Sequence, residues 1–184
     1  MKAEIEYDRY KKSGDIHWQW YEKKTGNYGT ANKIRDWVQE RRILDVGGGD
    51  GLVASLLKEQ GKYVKVIDVS KHGVMWARKH GLLAQVCSAY DVSPEKVGTF
   101  DAAILIDVIE HLQYPEKAVK AIATVTNRLY ITTPIRRHDT PRNKYHVREF
   151  KGDELVAFMK DNGWNVAMIH PNAPRKLIYK FKWT

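Results

Sequence analysis

The sequence predicts an α/β protein, a doubly wound, mostly parallel seven-stranded sheet finished by a C-terminal antiparallel hairpin. Three observations carry this expectation. Short apolar segments rich in branched side chains alternate with helix-like stretches, four glycines crowd the end of the first such segment, and beyond about residue 150 the pattern changes to one helix followed by two strands. Strands buried on both faces read as continuous apolar runs, and their alternation with helices implies parallel strands joined by right-handed crossovers.

The parallel strands are expected at Arg42–Val46, Tyr63–Val69, Leu82–Cys87, Phe100–Ile106 and Arg128–Thr133. After Asp50, Leu52, Val53, Leu56 and Leu57 fall at helical spacing and Gly61 ends the run. Ser70 suits the N-cap of a helix that closes at Gly81, and Pro115 suits the first turn of another that runs through Val119 and Ile122. A helix from about Asp153 to Asn162, with Leu155, Val156, Phe158 and Met159 inward and Gly163 as its stop, leads into NVAMIH, the turn PNAPRK and LIYKFKW. Upstream of Arg41 the chain offers one or two helices and the aromatic cluster HWQWYEKKTGNYG. Trp18, Trp20 and Tyr21 read there as packing residues, and Tyr28 fits either packing or the site.

At 184 residues the chain suits one hydrophobic core, read as a single domain with residues 1–41 forming a helical cap over the active site and 42–184 the core. The single cysteine, Cys87, excludes an internal disulfide and a thiolate zinc site, which fits a reducing, cytoplasmic setting. The N-terminus is charged, and no apolar run approaches the roughly 18 residues of a membrane span. A formal charge of +9 favours acidic partners without selecting one.

The stretch ILDVGGGDG, Ile43–Gly51, sets an acid just before the glycines. A dinucleotide fingerprint fails, because Leu52 stands where the third glycine of G-x-G-x-x-G would fall, and Asp45 would oppose a pyrophosphate. A cationic ligand removes the conflict. S-adenosylmethionine carries an ammonium and a sulfonium and no phosphate, and it needs glycines only for close backbone approach. The turn stands at the carboxyl end of the first strand, where open α/β sheets bind ligands.

These residues resemble the class I, Rossmann-like S-adenosylmethionine-dependent methyltransferases. LDVGGGDG is similar to their first motif, D-x-G-x-G-x-G, with Gly48 where many members carry Cys or another small residue. FDAAILIDVIEHL resembles the fourth-strand motif with its Glu-His-Leu triplet, and LYITTP the fifth strand. The resemblance implies that Asp45, Gly47 and Gly49 hold the methionyl part, that Asp68 with Val69 holds the ribose, and that Ser88, Ala89 and Tyr90 take the adenine. It also brings Ile106 and Asp107 to the cofactor. Ser88 departs from the acid common after the third strand.

Methyl transfer from a sulfonium gains most from alignment, and an oxygen or nitrogen acceptor also needs a base in reach. His111 and His146 are the candidates, with Asp107 and Glu110 beside them; the Asn-Pro-Pro-Tyr loop of many base N-methylating enzymes is missing. Asp107, Glu110 and His111 are spaced i, i+3, i+4 and would share one face of a helical turn. With His146 they are similar to the E-x-x-E-H plus distant His pattern of two metal-using branches, the ubiquinone-pathway O-methyltransferases and the small-RNA 3′-terminal 2′-O-methyltransferases. That resemblance implies a divalent Mg²⁺, Mn²⁺ or Zn²⁺ site. The expected acceptor is a small anionic molecule. RNA is the alternative, through the basic loop Arg136–Arg148, where Arg136, Arg137, Arg142, Lys144 and Arg148 face only Asp139 and Glu149. A non-catalytic binding or activating module of the same fold is the third reading.

Overall fold

Branched, apolar segments free of interior proline form the strands at the expected places. They are β1 (Arg42–Val46), β2 (Tyr63–Asp68), β3 (Leu83–Val86), β4 (Ala102–Ile106), β5 (Arg128–Pro134), β6 (Trp164–Ile169) and β7 (Lys176–Trp183). They run in the order β3-β2-β1-β4-β5-β7-β6 in one sheet. The computed structural model describes residues 9–26, 28–137, 143–170 and 176–184. Asn27, Asp139, Arg142 and most of the PNAPRK turn, which figure in the sequence reading, lie outside them.

The chain divides into two units, Met1–Ala89 and Tyr90–Thr184. In the first, β1 pairs parallel with β2 and β2 with β3, so that Asp45 lies opposite Val66 and Asp68 opposite Val86. Ile43, Leu44, Val46, Val66 and Ile67 are fully enclosed. Three helices precede β1 among the described residues, α1 (Arg9–Ser13), α2 (Ile16–Glu22) and α3 (Tyr28–Trp37), one more than the sequence suggests. The extra break falls at Gly14, whose φ of 65° no right-handed helix contains. Trp18, Tyr21 and Val53 pack against Ala31, Leu52 and Leu56, the packing role expected of two of those aromatics.

Helix α4 (Leu52–Glu59) follows the glycine turn, and α5 (Lys71–Lys79) begins at Ser70, whose hydroxyl accepts from Gly73 N–H at 2.9 Å as a side-chain cap should.

In the second unit a short α6 (Pro94–Val97) precedes β4, and α7 (Pro115–Ala123) carries its proline in the first turn. β4 pairs parallel with β5, and β7 inserts antiparallel between β5 and β6. The order has a physical cause: β7 buries Leu177, Tyr179 and Phe181 on one face and Ile178 on the other and takes the interior place, whereas Asn165–Ile169 of β6 are exposed at the edge. Of the four residues expected inward on α8 (Gly152–Asp161), Leu155 and Met159 are buried, and Val156 and Phe158 are half-buried. Trp164 is enclosed and donates its indole N–H to the Val119 carbonyl at 3.1 Å, which joins β6 to α7.

Phe181 faces Leu129 on one side and Val166 on the other and is fully buried. Phe181→Ala should cost about 3–5 kcal/mol, lowering the midpoint of thermal unfolding by roughly 6–20 °C. A shift under about 2 °C in a calorimetric scan would show that β7 is not part of the cooperative core.

Candidate functional site

The glycine turn is built so that two other side chains can occupy the space its own lack. Gly47 and Gly49 have φ of 73° and 55°, a backbone region that side chains resist. A Cβ on Gly48 would meet the Asp45 carboxylate at 2.5 Å, and one on Gly49 would lie 1.8 Å from the Tyr10 hydroxyl. The Asp45 carboxylate therefore folds under the turn while Tyr10 lies over it.

Asp68, at the end of β2, fixes the turn from the other side. Its Oδ2 accepts from Gly49 N–H at 2.9 Å, and its Oδ1 accepts from Ser70 N–H at 2.7 Å. The next residue, Val69, is exposed. Asp50 holds the N-terminal helices. Its Oδ2 accepts from His17 N–H at 2.8 Å, in the first turn of α2, its Oδ1 takes the His17 Nδ1 proton at 3.0 Å, and its carbonyl accepts from the Trp18 indole at 3.1 Å. A carboxylate at a helix start meets both unpaired amides and the positive end of the dipole.

The electrostatics are strongly one-sided. Asp45 is 1% exposed, and its Oδ2 has no hydrogen-bond partner. Burial, then Asp68 and Asp50, push its acid constant up to about 8. Burial and the same carboxylates hold the Tyr10 hydroxyl well above its ordinary value, so it stays a neutral donor. Such a site disfavours anions and suits a cation. Of the expected adenine residues, Ala89 is buried and Ser88 half-buried in the first unit; Tyr90 opens the second, where its hydroxyl accepts from Tyr114 N–H at 3.3 Å.

In the second unit, Ile106 ends β4 and Asp107 turns the chain with φ 56°, followed by a single 3₁₀ turn, Ile109–His111. The helical turn assumed for the i, i+3, i+4 spacing does not form, and Asp107 stands apart from the other two. Its carboxylate accepts from Thr132 Oγ1 at 2.9 Å and pairs with Lys176 Nζ. Glu110, His111 and His146 do come together, each offering one ligand atom within 4.8 Å of the others. The loop that carries His146 is drawn in by Val147 N–H, which donates to the Glu110 carbonyl at 2.8 Å.

The hydrogen bonds assign the tautomers. His111 Nδ1 donates to the Tyr145 carbonyl at 2.9 Å, which makes Nε2 its unprotonated nitrogen. His146 Nδ1 lies 2.6 Å from Glu149 Oε1, and its Nε2 accepts from Asn143 at 3.1 Å. A carboxylate or carbonyl behind the far nitrogen is the support that metal-binding and proton-accepting histidines share. Glu110 is buried; one oxygen accepts from Thr133 at 3.0 Å and the other has no partner. Burial, then Asp107, push its acid constant up to about 8. The donor set, a buried carboxyl oxygen without a partner and two oriented imidazoles, would fit a divalent ion once the Asn143 amide gives up His146 Nε2.

Sequence reasoning missed Lys176, Thr132, Thr133, Tyr10, His17 and Asp50 as parts of these sites. The threonines lie in the quoted fifth-strand motif, and doubled hydroxyls on a strand buried at both faces are a readable signal. The others are joined to their partners only by folding. The basic loop is partly neutralised, since Arg136 pairs with Glu154, while Lys144 lies 4.9 Å over the Tyr145 ring.

Comparison with known proteins places the fold in a family. Residues 29–169 match the methyltransferase domain family. The chain is 29% identical to a ubiquinone biosynthesis O-methyltransferase of Xanthomonas oryzae over 162 residues, covering 71% of this chain and 68% of the relative. With its counterpart in Bordetella avium it shares 32% over 108 residues, 51% of this chain and 45% of that one. The fold is similar to magnesium protoporphyrin IX methyltransferase from Synechocystis PCC 6803 with bound S-adenosylmethionine, with a TM-score of 0.76 at 17% identity over 100% of this chain and 98% of that one. A glycine turn with a buried acid, the seven-strand order and the match over residues 29–169 together show that the chain belongs to the methyltransferase domain family, in its class I, S-adenosylmethionine-dependent branch.

Proposed function

We propose that the protein methylates a hydroxyl oxygen of a small acceptor, held at Glu110, His111 and His146. The observation that carries this reading is that cluster, in which the buried Glu110 keeps one oxygen without a hydrogen-bond partner. The O-methyltransferase names of the relatives in Xanthomonas and Bordetella support it.

S-adenosylmethionine, when bound, supplies a methyl group already activated by the sulfonium. Asp45 would take its ammonium, Gly47 and Gly49 would let the methionyl chain approach the backbone, and Asp68 with Val69 would hold the ribose. Ser88, Ala89 and Tyr90 would border the adenine, and Ile106 and Asp107 are further candidates for cofactor contact. A divalent ion, when bound, supplies Lewis acidity that lowers the acceptor hydroxyl's pKa. Glu110, His111 and His146 would hold it, and Glu149 behind His146 and the Tyr145 carbonyl behind His111 fix the rings. Lys176 takes up the charge of Asp107, so Asp107 supports the pocket wall and Glu110 carries the ligand role. Lys144 and Arg148 favour an acceptor with an anionic group, and a small one, since Arg136 is committed to Glu154.

Two expectations follow from the carboxylates. The folded, ligand-free protein keeps a proton on Asp45 up to pH about 8, whereas the unfolded chain releases it near pH 4. Stability of the ligand-free protein therefore falls as pH rises from about 4 to about 8. Affinity for S-adenosylmethionine rises over about pH 6–8, by up to about tenfold per unit, as the ammonium displaces that proton, and falls again above about pH 8 as the free ligand's α-ammonium loses its own. Asp45→Asn should weaken binding at least about tenfold, flatten its pH dependence and raise the melting temperature at pH 8. Calorimetric titration at several pH values checks this; binding by Asp45→Asn equal to wild type would remove Asp45 from the site. Asp68→Asn is the cleaner ribose variant, because Asp68→Ala also strips the acceptor from Gly49 and Ser70.

For the second cluster, EDTA should abolish turnover and Mg²⁺ or Mn²⁺ restore it, with His111→Ala and His146→Ala each losing about 100-fold or more. Turnover that resists EDTA but vanishes in His111→Ala would make His111 the general base without an ion. Turnover indifferent to both histidine variants would discard the cluster.

A further inference from the structure

The groove between α5 and β3 is independent of the two clusters. It has a volume of about 530 Å³ and is lined by Lys71, Val74, Met75, Arg78, Lys79 and Val86. Three of these residues are cationic and none is acidic. The floor is apolar and open to water, with Met75 39% and Val86 44% exposed. Large apolar side chains left open beside a charged rim mark an interaction surface more often than an inert one.

The backbone beside the groove is also available. β3 ends the sheet order, so only β2 borders it within the sheet. Cys87 N–H donates to the Asp68 carbonyl at 3.0 Å, and alternate residues of a parallel strand turn their backbone groups to opposite sides. Ala84 and Val86 therefore direct theirs outward. The Ala84 carbonyl confirms that direction, because it accepts from the Arg78 guanidinium at 2.9 Å on the groove side. At Val86 an outward N–H and C=O stand directly above an apolar floor ringed by cations.

We propose that this edge is a docking site for an extended acidic and apolar segment of a partner protein, which adds a strand beside β3 at Val86. Backbone pairing with Val86 would supply the register. On the face of the added strand turned toward α5, apolar side chains would enter the groove against Val74 and Met75 and acidic ones would meet Lys71 and Lys79, while the intervening residues point to the other face. The charge selects the occupant. A second copy of this chain, at +9, would oppose like charge to the same rim, while an acidic strand matches it. Arg78 protects the edge in the unbound protein by covering one carbonyl, a common way of keeping edge strands from pairing indiscriminately.

The test uses the full chain and a fluorescein-labelled peptide of three Val-Thr-Glu-Thr repeats, which sets valine and glutamate on one face of an extended strand, read by fluorescence anisotropy, with a Val-Thr-Lys-Thr peptide as control. The acidic peptide should bind saturably and more weakly as salt rises, and the control should not bind. Lys71→Glu with Lys79→Glu should weaken binding at least about tenfold while S-adenosylmethionine affinity is unchanged. Val86→Pro, which removes the outward N–H together with the valine side chain, should do the same, and hydrogen exchange at Val86 of the unaltered chain should slow when the peptide binds. Three results would overturn the proposal: no saturable binding, binding that survives both variants, or displacement of the peptide by oligouridylate with equal affinity, which would make the rim a general polyanion surface. Dimerisation of the chain that Val86→Pro abolishes, without peptide binding, would give the edge to a second copy instead.

Discussion

Two carboxyl groups buried with one oxygen each lacking a partner, those of Asp45 and Glu110, are the constraint around which the rest of the molecule is arranged. An enclosed acid without full hydrogen bonding is costly in any fold, and the usual response is to stay protonated. Both do so here, with acid constants pushed up to about 8. A chain selected for stability alone would replace them with apolar residues. Their retention at the end of β1 and just beyond β4, one in each unit, is intelligible if each awaits a positive charge.

The surroundings of Asp45 show how such an acid is kept in place. Gly48 leaves room beneath the turn, and Asp68 anchors the turn through Gly49. Asp50, fully buried, brings in the N-terminal helices by satisfying the start of α2. Three acids within a few residues of one another in space would repel if all were ionised. Asp50 and Asp68 are each met by backbone N–H groups, and Asp45 is left as the one that holds its proton.

Glu110 is arranged by different means. Its carbonyl collects the loop that carries His146, its carboxyl takes a hydroxyl from β5, and Asp107 is drawn off by Lys176 from β7. The C-terminal strands thus do more than complete the sheet. By inserting β7 beside β5, with Lys176 opposite Pro134, the antiparallel pairing delivers a cation to the turn after β4. The pairing of His111 and His146 edge to face at 4.9 Å follows from the same loop closure.

The sequence by itself determined the strands, the capped helices, the glycine turn and the identity of Asp45 and Asp68, because each is a local matter. Burial on both faces demands apolar runs, a positive φ demands glycine, and a helix start demands Ser70 or Pro115 at a fixed offset. Glu110, His111 and His146 were legible as a set only through resemblance, and the spacing argument that added Asp107 failed, since a positive φ at Asp107 and a single 3₁₀ turn replace the helix on which it relied. The tertiary structure alone decided which groups meet across long separations: Tyr10 over Gly49, His17 on Asp50, Lys176 on Asp107, and the exposed edge of β3 beside α5. Those partners are 33 to 69 residues apart or lie on separate elements, so no local pattern encodes them; the register of the strands and the closure of the loops do.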